Sequence, residues 1–193
     1  MSRFRGHIAG VGTTSGVRLV VGRWDESPYG SFADVMIETA DGHRVLLAPT
    51  QQVADFVATT YTFDEVRIEP IAVNGWDVGS PSLSLSLAVG GRTGLGRLLR
   101  LVPGRLAESP AWCTVTDPVA RVVLRGVRTR GTAGSGRREW YGATDVHAVV
   151  AMTGSFDGAD LGRLAPVEPA PRFGFSSTPK RPSVTAVVTT VTG

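Results

Sequence analysis

Apolar and polar residues alternate through Ser82-Leu83-Ser84-Leu85-Ser86-Leu87-Ala88-Val89, which places Leu83, Leu85, Leu87 and Val89 on one face of a β-strand. Five further segments are rich in strand-forming residues: Val17 to Trp24, Ser31 to Glu38, Arg44 to Leu47, Glu65 to Val73 and Ser183 to Val191. Turn signals punctuate them at Ser27-Pro28-Tyr29-Gly30, Asp41-Gly42, Asn74-Gly75 and Asp157-Gly158. Asp41-Gly42 joins two strands at close range and predicts a hairpin. Two segments instead carry the helical period. Thr50 caps a run with Val53, Phe56 and Val57 on one side, and Leu95, Leu98, Leu99 and Val102 repeat the spacing before Pro103-Gly104. Asp117 to Thr129 reads both ways, but its β-branched valines lean towards a strand. Gly131 to Gly136 predicts a hairpin loop, and the proline-rich stretch from Ala165 to Pro182 predicts irregular chain over the surface.

These elements add up to one domain spanning residues 1–193 in the α+β class. The β-dominated expectation is an antiparallel β-barrel or strongly curved sheet with two short helices, since many short strands need their edges closed. A chain of 193 residues is long enough to bury roughly 70% of its unfolded surface. Its 42% hydrophobic and 19% charged residues describe a globular chain. No apolar run reaches the ~20 residues of a membrane helix, and no apolar segment follows the basic N-terminus, so the expected location is cytoplasmic without membrane association. The single cysteine, Cys113, cannot form an internal disulfide. Of twenty basic residues nineteen are Arg, which suits a GC-rich genome, and a net charge of +3 does not by itself imply a polyanion partner. The oligomeric state is left open, a homo-oligomer included.

Candidate chemistry concentrates between Arg137 and His147. Read as one regular strand, this run puts Glu139, Tyr141, Asp145 and His147 on one face and Trp140, Val146, Ala148, Val150 and Met152 on the other. The first face offers two carboxylates, a phenol and an imidazole. Turned into a lumen, it would orient a small organic molecule, with Arg138 or Tyr29 near the mouth. Asp145 and His147 could form a general acid–base pair, which keeps an enzyme reading open. Turned outward, the same alternation is an ordinary solvated strand. A third reading uses Arg121, Arg125, Arg128, Arg130, Arg137 and Arg138 as a nucleic-acid or polyanion surface with Trp140 and Tyr141 as stacking partners, although no recognisable nucleic-acid motif accompanies it. His7, His43 and His147 lack the spacing of a metal site, and Gly90 to Gly96 matches no phosphate loop, so no metal or cofactor is expected.

Two short elements carry a family likeness. Ser27-Pro28-Tyr29-Gly30-Ser31-Phe32 resembles the Ser-Pro-x-Gly-x-aromatic turn of the acetoacetate decarboxylase-like superfamily, and Arg138-Glu139-Trp140-Tyr141-Gly142 resembles its Arg-Glu-x-x-Gly element. The resemblance implies a β-barrel around a small-molecule cavity. In the decarboxylases the second element continues into Pro-Lys; here it continues Ala143-Thr144-Asp145. Schiff-base chemistry needs a lysine of depressed pKa in an apolar pocket. Lys180, the one lysine, sits between prolines and beside Arg181, so the resemblance does not carry the activity over. The chain is also similar to conserved proteins of actinobacteria, a likeness that implies no activity.

Overall fold

The computed structural model describes residues 2–103, 107, 130–132, 138–174 and 178–192. The chain forms β1 (Ser2–Thr13), β2 (Arg18–Glu26), β3 (Phe32–Glu38), β4 (Arg44–Ala48), α1 (Gln51–Ala58), β5 (Glu65–Ile68), β6 (Ala72–Asn74), β7 (Asp77–Gly79), β8 (Leu83–Arg92) and α2 (Gly94–Leu99). There follow β9 (Arg130–Thr132), β10 (Arg138–Phe156), β11 (Ala159–Asp160), β12 (Leu164–Ala165) and β13 (Ser183–Thr192). They make one sheet in the order β5-β4-β3-β2-β1-β13-β10-β8-β7-β6, curled into a half-barrel. Every pairing is antiparallel except β4 with β5. The expected β-dominated, strongly curved sheet with two short helices is therefore the observed architecture.

The two ends of the described chain meet in the middle of the sheet, where Ser2 pairs with Val191 and Gly10 with Ser183. β13 then joins β10, so the C-terminal strand connects the two halves of the curl. β1 is the element that hydrophobic patterning misses. Ser2–Thr13 holds three glycines and few strand formers, yet it is central because its neighbours need a close approach. A Cβ on Gly6 would stand 2.0 Å from the Arg23 carbonyl oxygen.

Most other elements follow their local signals. Thr50 caps α1 by accepting from the Val53 N–H at 3.3 Å, and Thr93 caps α2 through the Gly96 N–H at 3.0 Å. The Asp41-Gly42 hairpin joins β3 to β4, with Gly42 in the left-handed region at φ 92°. One expected strand is divided: Glu65 to Val73 becomes β5 and β6, separated at Glu69-Pro70, where proline can donate nothing to a ladder. β9 pairs with the start of β10, as a hairpin across Gly131 to Gly136 requires, while residues 133–137 and the segment 117–129 lie outside the described residues.

Burial distinguishes the faces. β8 alternates buried and exposed through Leu83, Leu85 and Leu87, as its sequence predicts, whereas Val89, expected on the same face, is exposed; β2 and β3 are buried on both sides. On one face Leu19, Val21, Val35, Ile37 and Leu47 pack in a single cluster with Val78, Leu83, Leu85, Met152 and Phe156. These residues come from strands far apart in the sheet, so they meet across the inside of the curl and fill it. On the opposite face Leu46 and Ala48 pack under Val53, Ala54 and Val57 of α1, joined by Tyr29, Phe32, Met36, Phe56 and Tyr61. The irregular segment after β12 crosses this second face. It is anchored there by the Arg172 N–H donating to Glu38 Oε2 at 2.6 Å and the Thr62 N–H donating to the Phe173 carbonyl at 2.7 Å.

Candidate functional site

The polar stripe expected on one face of β10 is split by a bulge. Tyr141 pairs with Thr189 and Ala143 with Val187, but the next partners are Asp145 with Ala186 and His147 with Val184. Thr144 is the extra residue, and side-chain alternation reverses across it. Tyr141 consequently faces the α1 side with Phe4 and Thr189, whereas Asp145 and His147 face the curl's side with His7 and Val184. Further register shifts flank Val149, so the expected apolar face is also broken: Val146 and Met152 are buried, but Val150 is 62% exposed. The shared face of Tyr141, Asp145 and His147 is thus corrected; a regular period of two cannot register an inserted residue.

Asp145 is an ion-pair partner in this arrangement. Its Oδ1 accepts from Arg92 Nε at 2.8 Å and its Oδ2 from Arg92 Nη2 at 2.8 Å, and these bonds hold its carboxyl below the ordinary value. His147 Nε2 stands 3.6 Å from Asp145 Oδ2, outside hydrogen-bond range, and its Nδ1 lies 3.2 Å from the Gly90 carbonyl. His7 is nearby; burial lowers its pKa, and Asp25 lies 3.7 Å from its Nδ1. Among the described residues no three His, Cys, Asp or Glu side chains converge as a metal site. Arg138 and Glu139 belong to β10 by their backbone, but their side chains lie outside the described residues, as does the cluster from Arg121 to Arg128. Lys180 is half exposed and paired with Glu168.

A partly open cavity lies on the other face, between the sheet, α1 and the irregular segment. Its volume is about 70 Å³. Phe4, Trp24, Phe32 and Phe56 wall it, with Ile8, Met36 and Val57 contributing aliphatic surface and Pro171, Phe173 and Thr178 closing it from the irregular segment. Phe4 is the hub of the aromatic group, stacked on Phe56 at 4.9 Å between centroids and edge-on to Trp24 at 5.7 Å. Tyr29 supports this wall from behind, 5.4 Å from the Phe56 ring centroid and 6.2 Å from that of Phe4.

Besides Thr178, three polar features interrupt the apolar lining. Asp34, on β3, is only 5% exposed; its Oδ1 accepts from the Trp24 indole N–H at 2.9 Å. Burial pushes its carboxyl up to about 7, against an ordinary 3.8. The carboxyl leans across Gly22, where a Cβ would lie 2.4 Å from Oδ1. The phenols of Tyr61 and Tyr141 are hydrogen-bonded to each other. Thr189 is buried, and among the described residues its hydroxyl has no hydrogen-bond partner. Asp34 and Thr189 sit on strands three positions apart in the sheet, roughly 14 Å at ~4.8 Å per strand.

Of this lining the sequence pointed to Tyr141, with Tyr29 expected near the mouth. It missed Asp34, Tyr61 and Thr189. The one available signal for Asp34 was an acidic residue inside a strand buried on both faces, between Ala33 and Val35. No protein-family model, curated protein or solved structure matches the chain, so the site is read from its own geometry.

Proposed function

We propose that this protein binds a small organic molecule in the aromatic cavity between the convex sheet face and α1. The observation that carries the reading is a buried carboxyl, Asp34, set among aromatic rings in the wall of a partly open cavity. A chain selected only for stability would place an apolar residue there, because an ionisable group in such surroundings is costly unless something compensates it. Binding sites combine apolar walls with a few placed polar groups in this way. The small volume suits a compact or slender ligand, or the head of a longer one. Compared with the expectation of a lumen site around Asp145 and His147, the ligand moves to the other face of the sheet, keeping Tyr141 and exchanging the Asp145–His147 pair for Asp34.

The test is a fragment screen of small neutral, cationic and anionic molecules, read by melting temperature and by the NMR signal of the Trp24 indole N–H. At least one fragment should raise the melting temperature and shift that signal. Val57→Trp, which fills the cavity from the helix side, should abolish both effects while the variant stays folded. A screen in which no fragment moves the Trp24 signal refutes the reading.

A further inference from the structure

The α1 side of β3 carries two buried carboxyls four residues apart, and they are treated differently. Glu38 is 1% exposed and fully compensated: Arg18 Nη2 is 2.8 Å from its Oε1, and Arg172 donates to it from both backbone and side chain. Asp34 has the Trp24 indole, and among the described residues it has no cation and no Arg, Lys or His lines the cavity. The other titratable groups facing this space from the packed elements are the phenols of Tyr61, after α1, and Tyr141, on β10. Among the described residues two arginines serve Glu38 and none serves its neighbour. The cavity wall beside it carries instead the rings of Trp24 and Phe32, aromatic surface of the kind that attracts a cation. Bare Gly22 leaves the carboxyl room to lean over the sheet.

We propose that the cavity recognises an organic amine, whose ammonium pairs with the Asp34 carboxylate while its carbon body lies along the aromatic wall. This rests on the cavity being a ligand site and names the class of ligand. The amine supplies from outside the positive charge that the chain withholds. Ammonium N–H groups can donate to the Asp34 oxygens, and an extended body would run over Gly22 and Ile8 towards the unpartnered Thr189 hydroxyl.

A matched set separates the charge from the shape: n-butylamine, n-butanol and butyrate, titrated against the full chain by the Trp24 indole signal at pH 6 and pH 8. An alkylammonium keeps its charge throughout this range, so the change in affinity follows Asp34, whose ionised fraction rises about tenfold between these pH values for a group titrating near 7. The amine should bind about tenfold more tightly at pH 8 than at pH 6 and at least tenfold more tightly than the alcohol at pH 8, with the acid weakest. Asp34→Asn, which removes a charge and so retains the fold, should erase the amine's advantage over butanol and its pH dependence. Butanol binding as well as butylamine, or an amine preference that survives in Asp34→Asn, overturns the amine assignment and leaves the cavity as a neutral-ligand site. Silence from all three probes overturns both readings together.

Discussion

Replacing Asp34 by Asn should make the free protein more stable, and increasingly so as pH rises. The carboxyl is 5% exposed, lacks a cationic partner among the described residues, and titrates near 7 when folded against an ordinary 3.8 when unfolded. Because the folded value is the higher one, the folded state retains the proton longer. The stability associated with this group is fully present below pH 3.8 and is lost as pH rises through 7. With 1.36 kcal/mol per pKa unit, the whole difference is about 4 kcal/mol, of which roughly a third has gone by pH 5. Asn keeps an oxygen to accept from the Trp24 indole, so that hydrogen bond at 2.9 Å survives the change. Urea unfolding of the two proteins at pH 5, 6, 7 and 8, without ligand, should show the variant's advantage growing by about 3 kcal/mol across the series and levelling above pH 7. A pH-independent difference, or a variant less stable than the original at pH 8, would show that the carboxylate is compensated in the free protein and would remove the ground for an incoming cation.

Three other outcomes follow from the packing. Arg18→Ala leaves Glu38 buried at 1% exposure with only Arg172 beside it, and should lower unfolding free energy by about 3 kcal/mol, the low end for a broken buried pair; a loss under 1 kcal/mol in denaturant unfolding would mean that Arg172 alone suffices. Gly6→Ala forces a methyl to within 2.0 Å of the Arg23 carbonyl and should cost about 3 kcal/mol by thermal or urea unfolding as β1 and β2 separate, whereas a neutral effect would mean that the strands part easily. Deleting Thr144 removes the bulge but leaves Asp145 three residues after Tyr141 in a regular strand, still opposite Ala186 and beside Arg92; the expected change in unfolding free energy is under about 1 kcal/mol, and a loss above about 3 kcal/mol, as for an unpaired buried charge, would contradict the parity argument.

What the sequence determined by itself was the local grammar. Leucines alternating with serines made β8, Thr50 and Thr93 set the starts of two helices, and Asp41-Gly42 set a hairpin, because each depends on side chains and backbone within a few residues. Together they sufficed for a β-rich class with a curved sheet. The tertiary structure decided which faces were covered and which residues met. β1 is a strand because β2 and β13 flank it, a partnership that its glycine-rich sequence does not announce. One inserted residue at Thr144 moved Asp145 and His147 to the opposite side from Tyr141, since strand alternation has a period of two and a bulge changes its phase. Asp34, Tyr61 and Thr189 gather around one void from three separate segments, and no local pattern encodes that meeting. Desolvation is likewise a property of the assembled fold: an aspartate acquires its raised pKa only when distant rings and a helix close over it.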